Sequence, residues 1–320
     1  MAAVTQNAGY RGFVRNYIVT MRPYLMFVSG ITGIAGLAHI NDISVVHALL
    51  VFIASFLSYG FGQALTDCFQ IDTDTISSPY RPLTRGIISR KHVFIVSIIG
   101  LVSCTAIFAY YNLFTLVLGL AAVAGLGTYT YFKRRWFGGP WYNAWIVVVL
   151  CLMAWLTGQP PVLAQDFSGQ FTWTLAAVFF GYANFVLAGY FKDIEADRAT
   201  GYSTLPVVFG RRVASRASDS LALLAVVCTI EAITFAGRPN NPSAIFVAAG
   251  IVASFVAQFQ LHRVKTDSEA HRPIALVVHA YILLLAGIAV SLQFGWTIPL
   301  ILLYGMYVVV MHHRPERTQI

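Results

Sequence analysis

Ten apolar stretches recur along the chain, at roughly 24–40, 45–64, 92–110, 113–131, 142–158, 172–190, 219–236, 242–261, 274–293 and 296–311, most of them near the ~20 residues with which a helix crosses a bilayer. Lipid offers no partner to a bare backbone N–H or C=O, so segments of this length are expected to be helices rather than strands. Only 11% of the 320 residues are charged and 58% are hydrophobic, more apolar side chain than a soluble core can hide. The pattern therefore predicts an all-α integral membrane protein. It is a bundle of about nine or ten transmembrane helices around a central cavity, with two Asp-rich cytoplasmic helix-loop regions. The short last stretch is readable as a tenth span, a hairpin or an interfacial helix. One domain is expected over 1–320, with 1–22 as an N-terminal surface segment.

The formal charge of +8 raises the question of nucleic acid, and its distribution argues against such a partner. If all ten stretches cross, every one of the 21 Lys and Arg residues except Arg238 falls on the side that bears the N-terminus. That asymmetry is the positive-inside pattern, which makes both termini and the charged loops cytoplasmic, in a bacterial inner membrane or its equivalent. Asp166 and Arg238 are the charged residues of the opposing stretches 159–171 and 237–241. No cleavable signal is expected before the first span. Phe13, Val14, Tyr17, Ile18 and Met21 follow helical spacing with arginines between them, which suits a helix on the membrane surface or a lead-in to the first span. Cys68, Cys104, Cys151 and Cys228 have no metal-type spacing and read as packing residues.

Charge is concentrated in two places. Residues 66–90, TDCFQIDTDTISSPYRPLTRGIISR, follow the second span and hold Asp67, Asp72 and Asp74; the loop after the sixth span holds Asp193, Glu195 and Asp197. Carried as one continuous helix, Gln63, Asp67, Gln70 and Asp74 share a face while Asp72 points away, and Asp193 and Asp197 lie one turn apart with Glu195 opposite. Carboxylates facing one another across a bundle repel unless a cation lies between them. Oxygen ligands combined with phosphate are what Mg²⁺ prefers, with only one or two carboxylates per ion. The pair of patches thus suggests magnesium holding a diphosphate, and Arg81, Lys133, Arg134, Lys192 and Arg198 stand where phosphate oxygens would need donors. The plainer alternatives are two solvated acidic loops and a set of positive-inside anchors.

The stretches DTDTISSPYRPLTRG at 72–86, YTYFK at 129–133 and KDIEADRATGYSTLPVVFG at 192–210, with the RP at Arg22–Pro23 entering the first span, resemble the UbiA superfamily of intramembrane prenyltransferases. The resemblance implies that Mg²⁺ is held by Asp67, Asp74, Asp193 and Asp197, with Asp72 a further ligand if the helix breaks before Ser77. Lys133 and Tyr129 join the four aspartates as catalytic residues, and Arg81, Lys192, Arg22, Arg198, Gln63 and Asn184 are assigned to the diphosphate. Asn184 and its neighbour Tyr182 are pocket groups or interhelical hydrogen-bonders. The second acidic motif matches the family. The first departs from its N-x-x-x-D-x-x-x-D: Gln63 stands where Asn is usual if Asp67 is the first aspartate, whereas reading backward from PYRPL makes Asp74 the last aspartate, with Gln70 and Thr66 in place of the preceding Asp and Asn.

The implied reaction is Mg²⁺-dependent transfer of a prenyl group from a prenyl diphosphate to a lipophilic, aromatic acceptor within the membrane, through an allylic carbocation. Membrane lipid is the surrounding partner. The altered first motif keeps open a terpene cyclase on the same scaffold, which needs no acceptor. A transporter is a third reading, set back by the placing of the carboxylates at span ends rather than at midplane. The wording SSPYRPL is similar to chlorophyll-synthase-like and archaeal ether-lipid branches of the family. Prenyl length and acceptor identity are not specified by these motifs.

Overall fold

The computed structural model describes residues 9–160, 167–235 and 239–314; Asp166, Arg238 and Arg317 lie outside the described residues. Thirteen α-helices follow one another: α1 (Tyr10–Met21), α2 (Met26–Leu37), α3 (Val45–Asp67), α4 (Ile71–Ser77), α5 (Arg90–Tyr111), α6 (Phe114–Lys133), α7 (Gly139–Leu156), α8 (Gly169–Gly189), α9 (Ile194–Ala199), α10 (Leu205–Phe235), α11 (Asn241–Leu261), α12 (His271–Leu292) and α13 (Thr297–His312). Among the described residues ten segments are long and apolar enough to cross a membrane, α1 and α2 counting as one and the stretch Phe294–His312 as the tenth. The protein is a multi-pass integral membrane protein.

Helix starts are written into the sequence. Ser44, Ser89 and Ser168 each accept a backbone N–H three residues on, and Asn240 forms a reciprocal cap with Ser243, satisfying donors that a helix N-terminus leaves open. The spans pack as a ring in chain order, α2, α3, α5, α6, α7, α8, α10, α11 and α12, closed by α12 returning to α2. Inside it α2 meets α7 and α12 meets α8, so α2 and α12 are the most enclosed spans. Close approach of α2 to α7 depends on Gly36, where a Cβ would lie 2.3 Å from the Cys151 carbonyl oxygen; without water to drive association, such small-residue contacts are what hold membrane helices together. α1 seats on α3 and hydrogen-bonds α5, Tyr17 Oη lying 2.8 Å from Ser97 Oγ. α13 stands outside the ring and is mostly exposed.

One expectation about the backbone is overturned. The helix through Gln63, Asp67, Gln70 and Asp74 is not continuous: α3 ends at Asp67, Gln70 has φ −123°, and α4 starts afresh at Ile71. Four of the intervening and flanking side chains are Thr, Cys, Phe and Gln at 66, 68, 69 and 70, none a strong helix former except Gln.

Candidate active site

The break after α3 folds α4 across the end of the bundle, where Thr73 meets Thr200 beyond α9 at 3.3 Å. The two acidic segments thereby close one chamber. It is lined by Asp67, Gln70, Asp74 and Arg81 from the first segment, by Lys192 and Asp193 from the second, and by Arg22, Tyr129 and Lys133 from neighbouring helices. Arg22 reaches it because its backbone turns into the left-handed region (φ 53°, ψ 68°) between α1 and Pro23.

Within the first segment each carboxylate is clamped by an arginine. Arg22 Nη2 donates to both Asp67 oxygens at 3.0 Å, Gln63 Nε2 donates to Asp67 Oδ1 at 2.8 Å, and Arg81 Nη1 lies 2.5 Å from Asp74 Oδ2 and 3.9 Å from Asp67 Oδ1. Burial works against the Arg81 guanidinium, but the Asp74 and Asp67 carboxylates outweigh it and hold the charge more firmly than in water. In the second segment the partners are lysines. Lys192 Nζ lies 3.6 Å from Asp193, and Lys133 Nζ lies 3.5 Å from Asp197 Oδ1 while donating to Gln70 Oε1 at 3.1 Å. Asp197 is fully buried and accepts from Thr204 Oγ1 at 3.2 Å. Burial, opposed by Lys133, pushes its carboxyl up to about 6. For Asp193 burial also raises the carboxyl, yet Lys192, Lys133 and Arg81 together bring it below the ordinary value.

The carboxylate oxygens left over fit a cation. Among the described residues Asp193 Oδ1 is buried and accepts no hydrogen bond, which costs about 1–3 kcal/mol; Asp197, behind the lining, has only the Lys133 ammonium at 3.5 Å on its Oδ1. Among the described residues no three His, Cys, Asp or Glu converge tightly enough to hold a metal by themselves. Mg²⁺ takes one or two carboxylates and completes its shell with water and substrate phosphate.

Not every residue singled out in the sequence lies in the chamber. Asp72, named as a further ligand, points outward, pairs with Arg134 at 3.0 Å and accepts from Tyr202 Oη at 3.2 Å, with its side chain 42% exposed. Arg198 is exposed on α9 and away from the lining. Asn184 faces the opposite side of α8, in a buried knot with Ser218 (2.5 Å) and Gln258 (3.4 Å) that ties α8 to α10 and α11; its role there is interhelical. Tyr182 does line the chamber, and so do Tyr59, Asn143 and Tyr190, which the sequence reading did not pick out. Asn143 is one polar residue at the start of an otherwise apolar span, the same signal that drew attention to Asn184; only the packing distinguishes the two.

Away from the charges the chamber continues into an apolar cavity between α3, α5, α6 and α7. Tyr59, Gln63, Thr66, Asn143 and Tyr182 line both and form the neck; Leu101, Phe108, Leu126, Leu150 and Met153 line the far part. One cavity thus has a strongly ionic mouth and an apolar depth, the shape of a site for an amphiphile with a charged head.

The model of the UbiA prenyltransferase family matches residues 26–276. A digeranylgeranylglyceryl phosphate synthase of Thermococcus kodakarensis is 29% identical over 283 residues, covering 86% of this chain and 98% of that protein. Among solved structures, the apo UbiA homologue of Aeropyrum pernix superposes with a TM-score of 0.68 at 21% identity, covering 83% of this chain and 96% of its own. The Archaeoglobus fulgidus homologue bound to DMAPP and Mg²⁺ gives 0.63 at 18% identity, covering 85% and 99%. The fold, the length of the match and the helical arrangement agree: this chain belongs to the UbiA prenyltransferase family.

Proposed function

We propose that the protein transfers a prenyl group from a prenyl diphosphate to the hydroxyl of a glycerophosphate-type lipid, with Mg²⁺ bound between the acidic segments. The observation that carries the reaction is the two-part cavity, with carboxylates and cations at the mouth and an apolar depth beyond the Tyr59–Tyr182 neck. The acceptor class is supported by the long similarity to digeranylgeranylglyceryl phosphate synthases and replaces the aromatic acceptor expected from the sequence. The mouth is read as cytoplasmic from the Lys and Arg distribution.

In this reading Arg22, Arg81, Lys133 and Lys192 receive the diphosphate oxygens, held in place beforehand by Asp67, Asp74, Asp197 and Asp193, so little reorganisation is needed when substrate arrives. Mg²⁺, when bound, would neutralise the departing diphosphate; Asp193 would offer it an oxygen that no donor uses, with Asp67 and Asp74 alongside in the lining and Asp197 behind them. The allylic C–O bond breaks with its electron pair going to the diphosphate. A lone pair on the acceptor hydroxyl oxygen then forms the new C–O bond, and the hydroxyl proton passes to the released diphosphate. Rings of Tyr59, Tyr182 and Tyr129 line the chamber and can stabilise the cation through their π faces, while the apolar depth beyond the neck keeps water away.

The test supplies purified protein with geranylgeranyl diphosphate, Mg²⁺ and a single-chain glyceryl-ether phosphate. A two-chain ether phosphate by mass spectrometry is expected. A cyclic hydrocarbon formed from the diphosphate alone would establish the cyclase reading instead.

A further inference from the structure

A second recess lies on the other side of the α1–α2 break from the chamber. Arg22 points into the chamber, whereas the next two residues, Pro23 and Tyr24, line an outer groove with Ile18 and Val19 of α1. Its facing wall is the C-terminal end of α13, Val309 and Val310 followed by His313 and Arg314. The lips are apolar and outward-facing, Ile18 being 48% and Val309 57% exposed, as suits a surface against lipid tails. Tyr24 is only 2% exposed, and its hydroxyl has no hydrogen-bond partner among the described residues. Arg314, which donates to the Met311 carbonyl at 2.7 Å, lies within electrostatic reach of that hydroxyl. α13 is fixed at this level by Tyr307, fully buried with its ring centroid 5.5 Å from Phe27 and 4.8 Å from His279. The family match stops at residue 276, so this wall lies beyond the stretch the family model matches.

We propose that this groove binds the lipid acceptor before transfer, its phosphate at Arg314 and Tyr24 and its hydrocarbon chain between α1 and α13. The inference rests on the glycerophosphate reading of the acceptor. Two features point to an anionic amphiphile rather than to a bare chain. A buried phenol left without a partner carries a cost that a phosphate oxygen would remove, and a guanidinium at the polar end of an apolar slot supplies the matching charge. Pro23 and Tyr24 line the groove while their chain neighbours Arg22 and Leu25 line the diphosphate site, so an acceptor held there waits beside the chamber without occupying the prenyl cavity.

Native mass spectrometry of the full chain in detergent, titrated with a 1-O-alkylglycerol 3-phosphate and separately with the same alkylglycerol lacking phosphate, tests this. The phosphate form is expected to be retained and the alkylglycerol not. Arg314→Gln and Tyr24→Phe should each weaken retention about tenfold, as for loss of a hydrogen bond to a charged group, and Arg314→Lys should restore part of it. In turnover, both variants should raise KM for the acceptor while kcat and KM for the prenyl diphosphate stay unchanged, a split that a merely structural role would not give. Truncation after Arg314 should leave binding intact. Equal retention of the alkylglycerol, unaltered binding in Arg314→Gln, or loss of binding on truncation would each overturn the proposal. Binding without prenyl transfer would instead remove the acceptor assignment and leave the groove standing, whereas transfer with unaltered acceptor KM in both variants would remove the groove alone.

Discussion

The two acidic segments carry the same kind of side chain to the same chamber and are built differently. In the first, Asp67 and Asp74 are met by Arg22 and Arg81 at 2.5–3.0 Å; in the second, Asp193 and Asp197 are met more loosely by Lys192 and Lys133 at 3.6 and 3.5 Å, and Asp193 Oδ1 has no hydrogen bond among the described residues. An arginine fork engages a carboxylate in a fixed plane, whereas an ammonium is a point charge on a flexible stem. The first segment is therefore a preset phosphate clamp whose carboxylates are occupied. The second is a carboxylate pair with capacity to spare, and a metal ion is expected to settle there first.

The largest effect expected from that contrast is on metal. Chelation with EDTA should abolish transfer and Mg²⁺ should restore it, and turnover persisting in chelator would break the comparison at its root. Next in size are the carboxylates. Asp193→Asn and Asp67→Asn should each lower kcat/KM by on the order of a hundredfold or more, as for loss of a principal electrostatic group. The two should differ in kind: Asp193→Asn raises the Mg²⁺ concentration needed for half-activity, while Asp67→Asn chiefly raises KM for the prenyl diphosphate. Identical metal titrations would erase the distinction between the segments. Asp72→Asn, outside the chamber, should change the rate by only a few-fold, in keeping with an exposed pair.

A smaller and more local effect concerns protons. The Asp197 carboxyl sits at about 6 against an ordinary 3.8, so its charged form is the disfavoured one. It should be protonated below that pH and ionise as pH rises through it. Infrared difference spectra of metal-free protein should show a protonated-carboxyl band growing as pH falls through about 6 and absent in Asp197→Asn. Adding Mg²⁺ with diphosphate should move that midpoint down, because a cation favours the charged form; a midpoint that does not move would separate Asp197 from the metal.

The fold was largely legible in the sequence, because a bilayer imposes one length and one periodicity on every span. Site geometry was legible only in part. Periodicity placed Asp72 away from Asp67 and Asp74, and the structure has it facing outward, but the continuous helix invoked for that was wrong. A fresh helix after Gln70 happens to restore the facing of Asp74. Asn184 and Asn143 look alike in sequence, since which side of a buried helix faces a cavity is decided by neighbours distant in the chain, here Ser218 and Gln258. Sidedness itself is open to a labelling test. Thr75 and Ser168 are exposed in the first acidic segment and at the start of α8, whereas Ser78 is 2% exposed and unsuited to a probe. Single cysteines at Thr75 and Ser168 in a cysteine-free chain should react with an impermeant thiol reagent from opposite faces. Labelling from one face would overturn the sidedness that the charge asymmetry predicts.

Arg22 holds a backbone conformation that L-residues other than Asn and Asp seldom adopt, a cost of about 1 kcal/mol or more paid at a helix end where glycine would sit at ease. Glycine there would relieve that strain but leave the buried Asp67 carboxylate without its guanidinium, a loss of about 3–5 kcal/mol. Position 22 is thus a strained backbone held in place by its own ion pair, and Arg22→Gly is expected to lower thermal stability and turnover together.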